Sequence, residues 1–464
     1  MLEMPRQIAR AADGFTNKAV HDLRVVLRRC RSMAEGFRSI DPDKEWKKMR
    51  RQATTLFDSL GALRDCHVMG EWLEKLGQDD DPVSRTLATY LAQRESSLKQ
   101  QAEAALADFD RKQWNQWSRS LPRRSARIAA HSEVFQALAL ARLMAARRLQ
   151  TSALKTGGHG ALHRLRIAVK KFRYMVENFL PQLHELWKDD LKQTQDLLGE
   201  IHDLDVLREA VDQVCAEQPA ASLERWRQVL ENERAARVER YRESMSGANS
   251  LWTKWRAGLP QGKAVRHASL VRLQAWSTFL DSDVQHTRRV ARFALQLYDG
   301  LRRIGVLSDS EDDRELLRAA ATVHEVGRAG RTRNHHKKTQ KMVEQLRSLV
   351  GWRQQDVTAM ARIARYHRGT LPHGAKLRDF SPAEKRKIRL LAGVLRLANA
   401  LDADHDGSVK GLTLARNDGY LMIRARGLAA DSDLAETIAG ARHLLETSCG
   451  LPMLVRPSPG RRRP

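Results

Sequence analysis

The chain has 464 residues, with 81 Lys and Arg against 56 Asp and Glu, for a formal net charge of +25. That length predicts two or three domains, each able to bury a core, and the charge points to phosphate-rich partners: nucleic acid, an acidic membrane surface or another polyanion. No stretch approaches the ~18 consecutive apolar residues of a spanning helix, no signal peptide is visible, and Cys30, Cys66, Cys215 and Cys449 are too scattered for a metal-ligand pair or a disulfide framework. A cytoplasmic protein with no membrane partner is expected, with Cys30 a reduced core residue.

Residues from about 15 to 245 read as helical almost throughout, rich in Ala, Leu, Arg, Glu and Gln and poor in Pro. Within them one stretch occurs twice. His21-Asp-Leu-Arg24-Val-Val-Leu-Arg28-Arg29-Cys-Arg31 is matched by His163-Arg-Leu-Arg166-Ile-Ala-Val-Lys170-Lys171-Phe-Arg173. His21, Arg24, Arg28 and Arg31 fall on one stripe of a 3.6-residue helix, beside an apolar stripe of Val20, Leu23, Leu27 and Cys30. Like charges at such spacing cost about 0.2–0.5 kcal/mol per pair on an isolated helix. Bearing that cost twice, in register, points to a polyanion that relieves it.

A second echo follows each copy: Leu60-Gly61-Ala-Leu-Arg64-Asp65 and Leu198-Gly199-Glu-Ile-His202-Asp203. Between the motifs lie Lys47 and Lys48 in one half, Lys188 and Lys192 in the other. The economical architecture is two four-helix bundles related by a pseudo-twofold, repeats about 15–130 and 135–250. Trp114 to Arg127 should join them, and Thr156-Gly-Gly-His-Gly160 should be the turn that launches the second basic helix.

These paired His-x-Leu-Arg helices and paired Leu-Gly-x-x-x-Asp segments resemble a CHAD domain, the conserved histidine α-helical domain, over about 12–250. The resemblance implies an all-α double bundle whose basic surface binds inorganic polyphosphate. By position that role falls on His21, Arg24, Arg28, Arg29, Arg31, Lys47, Lys48, Arg64, His163, Arg166, Lys170, Lys171, Arg173, Lys188 and Lys192. Arginine offers forked donors to phosphate oxygens and lysine a compact charge.

From Ser246 the composition shifts through Ser-Gly-Ala-Asn-Ser and Leu-Pro-Gln-Gly, so 251–269 is expected to be a linker. Beyond it, Asp283-Val-Gln-His286 opens a helix and a second helix ends in His324-Glu325-Val-Gly327. Then come Asn334-His335-His336-Lys337, Tyr366-His367-Arg368 and Leu397-Ala398-Asn399. That order, over about 270–456, resembles the C-terminal HD-type domain of exopolyphosphatase/guanosine pentaphosphatase proteins. The resemblance implies a divalent cation held by a histidine, a His-Asp pair and a distal aspartate. Here those positions read His286, His324-Glu325 and Asn399, so the pair's aspartate is replaced by glutamate and the distal one by a neutral amide. His335, His336, Lys337, His367 and Arg368 are then expected to form a second anion pocket.

Near the end, Lys410 to Arg424 reads as a hairpin turning at Asn417-Asp-Gly419, then a helix from about Leu434 to Ser448, a short strand around Met453–Val455, and a basic tail at 457–464. The expected fold is mainly α, a double bundle followed by an α-helical domain with a small β-hairpin. The expected function is non-catalytic polyphosphate binding that requires no cofactor, with polyphosphate granules and granule proteins as further partners. The alternative is hydrolysis of polyphosphate or a phosphorylated guanosine at His324 and Glu325, using Mg or Mn held with His286. Non-specific nucleic-acid binding is a third reading; aromatics make up only 6% and do not interleave with the basic stripe as stacking platforms would. Oligomeric state is open.

Overall fold

In the computed structural model, residues 1–129, 132–328, 334–346, 349–372, 377–429 and 434–458 are described. The chain divides into two units, Met1–Ala264 and Val265–Pro464.

The first unit is helical. It runs α1 (Met4–Ala12), α2 (Asn17–Arg38), α3 (Lys44–Ser59), α4 (Gly61–Leu76), α5 (Pro82–Ala107), α6 (Arg111–Ser125), α7 (Glu133–Thr156), α8 (His159–Phe179), α9 (Pro181–Val214), α10 (Ala220–Met245) and α11 (Leu251–Ala257). Side-chain caps start several of these: Thr16 accepts from Ala19 N at α2, Asp43 from Glu45 N at α3, and Asp81 from Ser84 N at α5. Gly157 adopts φ +59 as the left-handed cap of α7, and α8 begins two residues later, so the glycine turn launches the second basic helix as expected.

The repeat is visible in the packing: α2 lies against α3 and α4 against α5, while α8 lies against α9 and α9 against α10. In the first copy the helix carrying the second motif is interrupted at Leu60, giving α3 and α4; in the second it is one 34-residue helix, α9. The two basic helices, α2 and α8, pack on each other. Leu23, Leu27 and Cys30 of α2 and Leu165, Val169 and Phe172 of α8 are buried, as the apolar stripes predict.

Two stretches expected as connections are packed helices instead. Trp114 to Arg127 forms most of α6, with Trp114, Trp117 and Leu121 buried; Trp117 Nε1 donates to Glu45 Oε2 at 2.7 Å. The 251–269 stretch carries α11 and the start of α12 (Lys263–Thr278); Trp255 of α11 is buried 5.5 Å from the Phe172 ring, centroid to centroid. In both, the burial of large indole surfaces holds the connecting stretch in a packed helix.

The second unit continues with α13 (Val284–Arg303), α14 (Glu311–Val323), a 3-10 turn at Val326–Arg328, α15 (His335–Glu344), α16 (Gln354–Arg365), α17 (Pro382–Ala400) and α18 (Leu434–Cys449) around one apolar core. The predicted hairpin is present as β1 (Gly411–Asn417) and β2 (Tyr420–Arg426), antiparallel with Asn417 opposite Tyr420. It gains a third strand, β3 (Met453–Pro457), parallel to β2, with α18 as the crossover. Pro457, expected to begin the basic tail, therefore ends a strand; Arg461 to Arg463 lie outside the described residues. No helix among those described is long and apolar enough to cross a membrane.

Candidate functional sites

Because α2 and α8 pack together, part of each basic stripe, Arg28 and Arg31 from one and His163, Arg166 and Lys170 from the other, faces a common space. An open cavity of ≈ 420 Å³ is lined by Arg28, Arg31, Arg50, Arg142, His163, Arg166, Lys170 and Lys171, with only Glu35 and Asp58 as counter-charges, and with Tyr174 and Phe57 as aromatic walls. The guanidinium of Arg31 lies over Phe57 at 4.4 Å and that of Arg28 over Tyr174 at 5.3 Å, so both are steered by rings. Glu35 gathers Arg142 at 2.6 Å, Lys171 at 3.9 Å and Arg50 at 4.0 Å.

Burial and mutual repulsion leave these cations poorly compensated. Burial, with Arg166 and Arg28 beside it, holds the Lys170 ammonium down at about 7. Burial lowers Arg24 to about 10 and also lowers Arg31, Arg166 and His163. Burial, aided by Arg166 and His163, takes His202 down to about 3. The second motif supplies the carboxylates: Asp203 is pushed up to about 6 by burial against the pull of Arg166 and Lys170, and Asp65 is raised for the same reason against Arg24 and Arg166.

The matched arginines are not equivalent. Arg24 donates through Nη1 to the Phe57 carbonyl at 2.6 Å, near the break between α3 and α4, and stacks 3.9 Å from the Phe57 ring. No corresponding break exists in α9. Among the described residues, Arg166 Nε and Arg28 Nε are buried without a hydrogen-bond partner.

Other expected positions fall elsewhere. Arg29 pairs with Glu177 at 3.1 Å, Arg173 with Glu177 at 3.8 Å, and Arg64 with Glu71 at 3.3 Å and with Asn17. Lys48, Lys188 and Lys192 are exposed and pair with Glu45, Glu185 and Asp196 on their own helices; His21 and Lys47 are exposed and do not line the cavity. Arg50 and Arg142 were missed because they belong to neither repeated motif; only the packing of α3 and α7 brings them in.

In the second unit, a cavity of ≈ 670 Å³ is lined by His286, Glu325, Arg328, His367, Arg368, Arg396, Asn399 and His405, among others. The HD positions do converge: ligand atoms of His286, His324 and Glu325 lie within 4.8 Å of one another. They do not fit a hard divalent ion. His286 Nδ1 is bonded to Asp402 Oδ2 at 2.8 Å, and its Nε2 is engaged by the neutral Asn399 amide at 3.2 Å. Asp402 is occupied further by Arg289 Nε at 2.8 Å, so it does not replace the missing distal carboxylate. His324 caps α14, its Nδ1 donating to Ala321 O at 2.7 Å, and burial holds it near 3.

The expected second anion pocket is divided. His335 and His367 are buried about Glu325, Arg368 is exposed at the cavity, His336 is half-buried beside Gly369, and Lys337 is exposed.

Comparison with known families agrees with this division. Residues 4–212 match the CHAD domain and residues 265–421 match the Ppx/GppA phosphatase, domain III. No curated protein is similar enough to count as a relative. The chain thus carries a CHAD domain followed by a Ppx/GppA phosphatase domain III.

Proposed function

We propose that this protein binds inorganic polyphosphate through the cavity between α2 and α8, without hydrolysing it. The observation that carries the reading is the excess of half-buried cations there, with the Nε donors of Arg28 and Arg166 facing no partner. Polyphosphate is a flexible chain with about one charge per phosphate, so it suits a cluster of forked donors better than a rigid groove. The two family matches support the same ligand from both ends of the chain. The proposal extends to a role at polyphosphate granules, with granule proteins as further partners. The missing distal carboxylate at Asn399 speaks against Mg- or Mn-dependent hydrolysis at His286, His324 and Glu325.

Charge reversal tests it. A charge-assisted hydrogen bond contributes about 1.5–3 kcal/mol, so Arg28→Glu with Arg166→Glu should weaken binding of long-chain polyphosphate at least about tenfold. Unchanged affinity at physiological salt refutes the site. Incubation with the polymer plus Mg²⁺ and Mn²⁺, resolved on a gel, should show retarded polymer of unchanged length. Shortened polymer, lost in His324→Ala, would establish the hydrolase instead.

A further inference from the structure

We propose that the second unit carries a further anion site, between α12, α13 and α14, that takes a small organic phosphate of mononucleotide size. A cavity of ≈ 520 Å³ there is lined by Arg288 and Arg292 of α13 and by Arg314 and Arg318 of α14, with only Asp299 as counter-charge among the described residues. Small-molecule sites span about 300–1,000 Å³, so the space suits such a ligand. Both arginine pairs are spaced i, i+4, so each helix carries two like charges on one face, and the packing of α13 on α14 brings the four together.

Asp299 compensates one of the four. Its oxygens accept from Arg314 Nε at 2.8 Å and Nη2 at 3.0 Å, and these bonds hold the Asp299 carboxyl below the usual carboxylate range. Among the described residues, the side chains of Arg288, Arg292 and Arg318 meet no carboxylate. Arg318 is half-buried, Arg288 and Arg292 are exposed, and Arg292 lies over the Phe293 ring at 5.0 Å. Three uncompensated guanidinium groups around one space repel one another. A phosphate dianion relieves that repulsion and engages their forked donors.

The rest of the lining decides what the phosphate is attached to. Val284, Ala291 and Leu295 supply an apolar wall. The Ser277 and Thr322 hydroxyls, also in the lining, donate to Gln274 O and Arg318 O, both at 2.9 Å, and Thr287 donates to Asp281 at 2.6 Å. With their protons spent inside the protein, these oxygens have only lone pairs to offer, so they accept from a ligand hydroxyl and repel a phosphate oxygen. An inorganic phosphate chain gains from neither the wall nor the hydroxyls; a phosphorylated sugar bearing an apolar or aromatic group gains from both. The site shares no lining residue with the His286 cavity. Residues two apart on a helix point about 200° apart, so α13 turns His286 to one cavity and Arg288 to the other.

The test titrates the full chain calorimetrically with AMP, inorganic phosphate and adenosine at physiological salt. One AMP per chain is expected, bound at least about tenfold more tightly than inorganic phosphate or adenosine. Arg288→Glu with Arg318→Glu should weaken AMP at least about tenfold, whereas Arg28→Glu with Arg166→Glu, in the other unit, should retain it. No AMP bound by the unmodified chain overturns the proposal, as does AMP retained in the Arg288 and Arg318 pair or lost in the Arg28 and Arg166 pair. Inorganic phosphate bound as tightly as AMP overturns the organic class. Should the half-buried Arg318 variant fail to fold, Arg288→Glu with Arg292→Glu, both on exposed residues, must show the same loss, and full retention there refutes the site.

Discussion

At the scale of the residue, Lys170, which lines the first-unit cavity, and Asp203, whose charge acts on it, make that cavity sensitive to pH. With the lysine held down at about 7 and the aspartate pushed up to about 6, both mainly by burial, raising the pH first ionises the carboxyl and then neutralises the ammonium. Each step makes the cavity less positive. A bound polyanion favours the protonated form of both groups, so binding takes up protons and affinity falls as pH rises from about 6 through 8. Titration calorimetry in buffers of different ionisation enthalpy should report the uptake, and Lys170→Arg should reduce the part of the slope above pH 7. A flat profile would mean that these groups do not face the ligand. The matched arginines should also separate. Arg166→Met should lose affinity with little change in Tm, because the buried Nε of Arg166 makes no hydrogen bond that would be lost, although Asp65 and Asp203 lose a neighbouring charge. Arg24→Met leaves the Phe57 carbonyl without its donor and should lower stability by about 1 kcal/mol.

At the scale of the element, the determinants are breaks and close approaches. The interruption at Leu60 ends α3 where α9 continues, and the Phe57 carbonyl just before it meets Arg24, so one motif repeated in sequence becomes two different environments. The contact of the Val326–Arg328 turn with α15 depends on the missing side chain at Gly327. Gly327→Ala would drive a methyl into His335 O and Thr339, and should destabilise the second unit by about 1–3 kcal/mol, read as a fall in its unfolding midpoint. These contacts were invisible in the chain order. Gly327 stands eight residues from His335, and nothing in that interval announces that their backbones touch.

At the scale of the whole molecule, +25 of net charge predicts long-range attraction to any polyanion, so selectivity must rest on the cavity. Binding of polyphosphate should weaken steeply with added salt as each neutralised phosphate releases counterion. The Arg28→Glu and Arg166→Glu pair should flatten that slope, whereas Lys188→Glu, on an exposed lysine already paired with Glu185, should leave it nearly unchanged. Equal effects from both would assign the affinity to the general field.

Much was decided by the sequence alone. The repeat, the apolar stripes of α2 and α8, the glycine turn before α8 and the β1–β2 hairpin are local patterns, set by helical period, strand alternation and turn chemistry, and each reads off neighbouring residues. The basic stripe was equally legible as a stripe. Tertiary structure alone decided which of its cations share a cavity, because a side chain's partner lies on another helix: Arg50 and Arg142 enter, while Arg29, Arg64 and Arg173 turn to carboxylates. In the second unit, His335 and His367 read in sequence as part of an anion pocket, yet the fold buries both against the carboxylate of Glu325. Charge and period are properties of the chain; desolvation and ligand geometry exist only once distant segments exclude water together.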